Sequence, residues 1–146
     1  KLGLQFFSAL LRDAAERHDH TKLEHLDEYY AQFQEAAKTG KWPKGENWWY
    51  EKYHLAERHH LEDRVPEDVN LVDVFEMLVD CCMAGMARTG KYVPENEPDP
   101  ELLKKAYVNT RNLLLSKIVV HEDPGTSGTS GSKFGLDPNL KGTTST

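Results

Sequence analysis

Cysteine is almost absent: the 146-residue chain has two, and they are neighbours, Cys81 and Cys82. Adjacent cysteines make a poor disulfide and lack the CxxC spacing of a structural zinc site, so a reduced, intracellular protein is expected. No apolar run approaches the ~20 residues of a membrane span, and no signal-peptide pattern opens the chain. Positive charge is in deficit, with 18 Lys and Arg against 24 Asp and Glu for a net charge of −6. A protein that coats duplex nucleic acid needs a basic face, and this composition speaks against one. Glycine-rich phosphate loops of the GxxxxGK or GxGxxG kind are missing. So are strand-like alternation and any local motif for a Ser or Cys nucleophile activated by histidine.

What is there is an ordinary share of hydrophobic residues, 38%, in a length that suits one domain. The end of the chain stands apart. Gly, Ser and Thr fill 14 of the 23 positions from 124 to 146, which predicts a flexible tail of the kind appended for expression. Residues 1–123 then form the working domain, with 16 basic and 23 acidic side chains. Its pattern is helix after helix. Leu4, Phe7, Leu11, Ala14 and Ala15 recur at helical spacing. Thr21-Lys22-Leu23-Glu24 has capping-box form and precedes a stripe of Leu26, Tyr30, Phe33 and Ala37 that Gly40 ends. After a loop over 40–47, a third helix is predicted from Trp48 to Glu62, with Trp49, Tyr53, Ala56 and His60 on one side and Pro66 beyond it. Asn70 can cap a fourth, from Leu71 to about Ala87, and Asp99-Pro100 opens a fifth that ends near Val120. The expected fold is all-α, an irregular bundle of about five helices with a flexible C-terminal tail.

Polar residues at positions where such packing calls for apolar ones carry the functional information. Six of the seven histidines lie between His18 and His60. His18 is the next inward position after Leu11 and Ala15, Asp19 leans the same way, and Lys22 lies one turn beyond. Asp80 is the one charged residue in MLVDCCMAGM (77–86), a segment apolar enough to be buried on most sides. A carboxylate there must be paired, protonated or bound to a cation. Asp73, two turns earlier, is either its partner or a surface residue. The third set is His54, His59 and His60. On an ideal helix His54 and His60 point about 120° apart, so they reach one site only from its flanks or through a helix irregularity. Imidazoles and carboxylates from three helices would converge inside a helical core, a mixture that suits Mn, Fe, Co, Ni or Zn in a hydrolytic site of one or two ions. The bland alternatives are a solvated His-Asp-His helix end and a structural ion pair at Asp80.

The same residues follow a family pattern. HDHTKLE (18–24), HLAERHH (54–60) and EMLVD (76–80) resemble, in order and spacing over roughly residues 5–120, the HD-domain superfamily of metal-dependent phosphohydrolases. More closely, the chain resembles a small group of HD-like bacterial and phage proteins. The resemblance implies that His18 and Asp19 are the defining doublet, with Asp19 able to bridge two ions and Asp80 closing the first metal site. His54 and His60 (or His59) would be the extra histidines of two-metal members, and Lys22 the lysine that meets a phosphate oxygen. One feature departs from the pattern: the superfamily's further metal-binding histidine, one helix earlier, has no counterpart between Lys1 and Arg17. Either it precedes Lys1 or the protein lacks it. Members hydrolyse phosphomonoesters or phosphodiesters of nucleotides, and some are di-iron oxygenases.

Hydrolysis of a nucleotide or related phosphate ester by a metal-activated water is therefore expected, with one or two divalent ions per chain (Mn, Fe, Co, Ni, Zn or Mg). His18, Asp19 and Asp80 would hold one ion and the histidines at 54, 59 and 60 a second. Lys22 would add charge at the phosphate, and Glu24 or Glu57 would be the general acid. The expected partner is a small phosphorylated substrate, not duplex nucleic acid or a membrane, with a homo-oligomer left open. The expected location is the cytoplasm of a bacterial or phage-infected cell. The rival from a different class is a non-catalytic helical binding or regulatory protein of phage type that keeps an HD-like core. The aromatic loop around Trp42, Trp48 and Trp49 is then its partner surface, or else an ordinary core edge.

Overall fold

The computed structural model describes residues 1–45, 48–91, 97–121 and 133–136. The chain is an all-α bundle: α1 (Leu2–Arg17), α2 (His20–Glu24), α3 (Leu26–Thr39), α4 (Trp49–Lys52), a 3₁₀ turn (His54–Ala56), α5 (Leu71–Thr89) and α6 (Pro100–Lys117). α5 is the central element and packs against both α1 and α6, while α3 packs on α4. Among the described residues no helix is long and apolar enough to cross a membrane.

Local stop and start rules hold. Gly40 ends α3 in the left-handed region at φ 69°, with its N–H on Ala36 O, the conformation that favours glycine at a helix end. The Asn70 side chain accepts from Val72 N at 2.9 Å while the Asp73 carboxylate accepts from Asn70 N at 2.8 Å, a reciprocal cap on α5. Asp99 accepts from Glu101 N at 3.0 Å, and Pro100 is the first residue of α6.

Longer-range forces overturn other expectations. The second helix breaks at His25 into α2 and α3, and the Thr21 hydroxyl, expected as a cap, bonds instead to Glu57. The helix expected over Trp48–Glu62 does not form. Tyr53 leaves helical geometry at φ −127°, ψ −47°, and Glu57 is extended at φ −66°, ψ 143°. Tight turns follow, with Leu61 N on His59 O at 2.9 Å and Arg64 N on His60 O at 3.0 Å. On a continuous helix His54, Glu57 and His59 could not all meet the α1–α2 junction, and their buried contacts there outweigh a few helical bonds. α6 stops at Lys117. Its continuation Ile118–His121 forms a strand, β1, antiparallel to β2 (Lys133–Leu136), with Ile118 opposite Leu136; the run Ile-Val-Val favours a strand. The rest of the expected tail, 124–132 and 137–146, lies outside the described residues, as do 46–47 of the expected loop.

The packed faces are also shifted. On α3 the stripe Leu26, Tyr30, Phe33 and Ala37 is exposed, and the face one residue earlier is covered. There His25 stacks on Tyr53 (ring centroids 3.6 Å), Tyr29 lies 4.8 Å from Trp49, and Gln32 Oε1 accepts from Trp49 N at 2.8 Å. On α1, Leu4, Leu11 and Ala15 are exposed while Phe6, Phe7, Leu10 and Ala14 are half-buried. The segment 77–86 is not enclosed either: Leu78, Val79, Met83 and Met86 are exposed. The apolar core is small, built on Leu61, Val69 and Ala106 with Val74, Met77 and Leu102. Buried polar side chains are the informative kind, and the described residues include Thr21, His54, Glu57, His59 and Asp73. Four of these five lie together.

Candidate metal centre

The site begins where α1 ends. Asp19 adopts φ 57°, the one positive φ outside glycine among the described residues. Aspartate tolerates this region better than most residues, at a cost of about 1 kcal/mol. Glu57 holds the turn in place: Oε2 accepts from Asp19 N at 2.9 Å, and Oε1 accepts from Thr21 N at 3.0 Å and from the Thr21 hydroxyl. This clamp presents His18 and Asp19 to α5 and to the His54–His60 turns.

Asp19 Oδ1 lies 3.3 Å from His54 Nε2 and 3.9 Å from His59 Nε2, while Lys22 Nζ donates to Asp19 Oδ2. His18 Nδ1 is 3.0 Å from Glu76 Oε1, and its Nε2 is 3.7 Å from Asp19 Oδ2 and 3.6 Å from Asp80 Oδ1. His59 Nδ1 stands 3.2 Å from Glu76 Oε1 but makes no aligned hydrogen bond. The His60 ring packs 4.4 Å from those of His54 and His59, and its Nδ1 is 3.1 Å from the Tyr50 hydroxyl, which donates to Asp63. The fold thus gathers His18, Asp19, Lys22, His54, Glu57, His59 and His60. Asp80 stands half-exposed at the edge of this group rather than buried within an apolar helix, because the outer face of α5 is uncovered. Glu24 is exposed on α2 and, among the described residues, makes no hydrogen bond or ion pair with the cluster.

The electrostatics separate the roles. Burial works against a charge on Glu57, but hydrogen bonds from His54 and Thr21 outweigh it and hold the carboxyl well below its usual range. Glu57 therefore acts in this fold as an ionised clamp on the Asp19–Thr21 turn. Burial also opposes ionisation of Glu76, and His59 and His18 outweigh it to lower this carboxyl. Burial acts against a charged His59, yet Glu76, with Asp80 and Glu57 behind it, raises its pKa. Burial, then the neighbouring His54 and His59, pushes His60 down to about 4. Burial and Asp63 hold the Tyr50 phenol above its ordinary value.

Several polar atoms here have no hydrogen-bond partner among the described residues although they are buried: Asp19 Oδ1, both ring nitrogens of His59, and His60 Nε2. Leaving such a group unsatisfied costs about 1–3 kcal/mol, and native proteins rarely do so. Here they lie side by side. Three sets each bring their donor atoms within 4.8 Å of one another: His54, His59 and His60; His18, Asp19 and His59; Asp19, His54 and Glu57. Imidazole and carboxylate are the donors of first-row divalent ions, so the buried groups could hold a metal ion.

Some participants were not singled out in the sequence. Glu76 lies one helical turn before Asp80, on the same face of α5, and that spacing is the sequence feature that could have revealed it. Thr21, Tyr50 and Asp63 carry no such mark, because only the chain reversals after Lys52 bring them in. Asp73 is neither a surface residue nor a partner of Asp80. It is 3% exposed and takes a two-pronged bond from Arg58 (Nε to Oδ1 2.7 Å, Nη2 to Oδ2 2.8 Å). Trp49 is buried against His54 (ring centroids 4.8 Å), while Trp42 meets Phe33 edge-on at 6.0 Å and stays half-exposed. A cavity of about 270 Å³ opens beside His18, with Leu11, Ala14, Phe75 and Val79 as its apolar walls.

Comparison with known proteins gives no matching family model, no matching curated protein and no matching solved structure.

Proposed function

We propose that the chain is a metal-dependent phosphohydrolase acting on a nucleotide or related phosphate ester. The observation that supports this is the group of buried, neighbouring polar atoms that lack hydrogen-bond partners among the described residues, Asp19 Oδ1, the His59 ring nitrogens and His60 Nε2; one cation would satisfy several of them at once. His18, Asp19 and Asp80 supply donors for one ion, and His54, His59 and His60 supply them for a second. When bound, a divalent ion lowers the pKa of a coordinated water toward neutrality and offsets charge on phosphoryl oxygens.

The chain's own residues bind and orient. Asp19, fixed by Glu57 in its left-handed turn, faces both donor sets. Lys22, whose ammonium sits on Asp19 Oδ2, offers a point charge to a phosphoryl oxygen beside it. The apolar cavity next to His18 accepts the flat part of a ligand, as a nucleobase would provide. With Glu57 committed as a clamp and Glu24 on the open side of α2, the proton for the leaving oxygen is assigned to solvent at the open Asp80 edge.

Metal content of the wild-type protein, Asp19→Ala and Asp80→Ala tests the site. Phosphate release from nucleoside monophosphates and cyclic nucleotides with Mn²⁺ or Co²⁺ tests the reaction. Metal in the wild type, its loss in Asp19→Ala, and metal-dependent phosphate release are expected. Full occupancy in both variants would sink the ligand assignment. Bound metal with no phosphate released would favour a non-catalytic binding protein, a reading supported by the exposed apolar faces of α3 and α5.

A further inference from the structure

Each imidazole of the cluster has two nitrogens, and only a nitrogen without a proton can bind a cation. At His60 the choice is made by a hydroxyl. Tyr50 has a single proton and gives it to Asp63, so its oxygen, 3.1 Å from His60 Nδ1, is left to accept. The ring proton then belongs on Nδ1. A proton on Nε2 would be buried with no acceptor, since that atom has no partner.

The same device recurs at His54 with different residues. The Thr21 hydroxyl gives its proton to Glu57, so the oxygen 2.8 Å from His54 Nδ1 accepts from the ring. Glu57 Oε1, 3.3 Å from the same nitrogen, is a second acceptor there. Nε2 then faces Asp19 Oδ1 at 3.3 Å, and that oxygen accepts no hydrogen bond. His18 reaches the same arrangement without a hydroxyl, its Nδ1 lying 3.0 Å from Glu76 Oε1.

We propose that Tyr50 with Asp63, and Thr21 with Glu57, are paired hydroxyl–carboxylate relays that fix the Nδ1–H tautomers of His60 and His54 and turn both Nε2 lone pairs into the cluster. Tyr50 and Thr21 are positioning residues: they act on a cation through the ring they orient. Outer partners of this kind typically change metal affinity 10–100-fold. The use of these lone pairs for a divalent ion rests on the proposed function; the tautomers themselves do not.

The test therefore has two readouts. Nitrogen-15 ring correlation spectra of the metal-stripped wild-type protein should show His54 and His60 protonated on Nδ1 alone. Tyr50→Phe, which keeps the ring and removes the hydroxyl, should release the His60 tautomer and leave that of His54. Thr21→Val should do the reverse, and Thr21→Ser should restore the wild-type pattern. In calorimetric titration with Mn²⁺ or Zn²⁺, Tyr50→Phe and Thr21→Val should bind about 10–100-fold more weakly, with Thr21→Ser close to wild type. A wild-type His60 or His54 whose single ring proton sits on Nε2 overturns the proposal, and this needs no variant to fold. Unchanged tautomers and affinity in Tyr50→Phe overturn it too. The expected tautomers in a wild-type protein that takes up no cation would uphold the relays and sink the metal-dependent function alone.

Discussion

Asp19 does two jobs that separate by substitution. Its backbone must sit at φ 57°, which asparagine accepts as readily as aspartate, while its carboxylate supplies the buried oxygen that faces His54 and His59. Asp19→Asn should therefore keep stability within about 1 kcal/mol in urea denaturation and lose cation binding at least tenfold in titration; a folded variant with unchanged affinity would remove Asp19 from the ligand set. His60 has a distinct pH behaviour. Its folded value of about 4 lies below the ~6.5 of an unfolded histidine. As pH falls from 6.5 toward 4 the unfolded chain gains a proton that the fold refuses, and stability is lost over that window. In metal-stripped protein, the stability of wild type relative to His60→Gln should fall by about 1–2 kcal/mol between pH 7 and pH 5. A difference that stays constant, or grows, would contradict a neutral His60. Comparison with the variant is needed because His59, raised above its ordinary value, acts in the opposite sense: its contribution is full below ~6.5 and fades as pH rises through its folded value.

At the scale of elements, α5 is fixed from both ends of its first turn. Asp73 caps Asn70 N and takes the fork of Arg58, which ties the irregular segment after α4 to the helix carrying Glu76 and Asp80. Asp73→Ala should cost about 2–3 kcal/mol in urea denaturation, from a lost cap and an Arg58 left without its partner; a neutral change would show the tie to be dispensable. Among the described residues Gly40→Ala meets nothing within 4 Å, so a cost of about 1 kcal/mol is expected from φ 69°. The starts and stops at Gly40, Asn70 and Asp99-Pro100 were legible because each is decided within a turn or two of chain. The helix expected over 48–62 was not, because Glu57 bonds to Asp19 N and Thr21 N, 38 and 36 residues away. The one-residue shift of the covered face on α3 has the same origin: His25, Tyr29 and Gln32 are chosen by Tyr53 and Trp49, which periodicity cannot weigh.

For the whole molecule, a small apolar core beside a polar cluster with unsatisfied atoms predicts a fold that gains strongly from a ligand. At one hundred times its dissociation constant a cation adds about 2.7 kcal/mol, so Mn²⁺, Co²⁺ or Zn²⁺ should raise the melting temperature of stripped protein by several degrees, reversed by chelator. No shift with any divalent ion would count against the centre as a whole. The sequence alone determined the all-helical class, the helix boundaries that rest on caps and glycine, and the residue types of the site, since helical period, local capping and side-chain chemistry are properties of short stretches. Tertiary structure alone decided that His54, His59 and His60 reach the doublet through tight turns and not along one helix, that Glu57 anchors the Asp19–Thr21 turn, and that Glu76, Thr21 and Tyr50 contact the cluster. The physical reason is that burial and hydrogen bonding between distant segments broke the intervening helix, and no local pattern encodes the balance between those bonds and the helical ones they replaced.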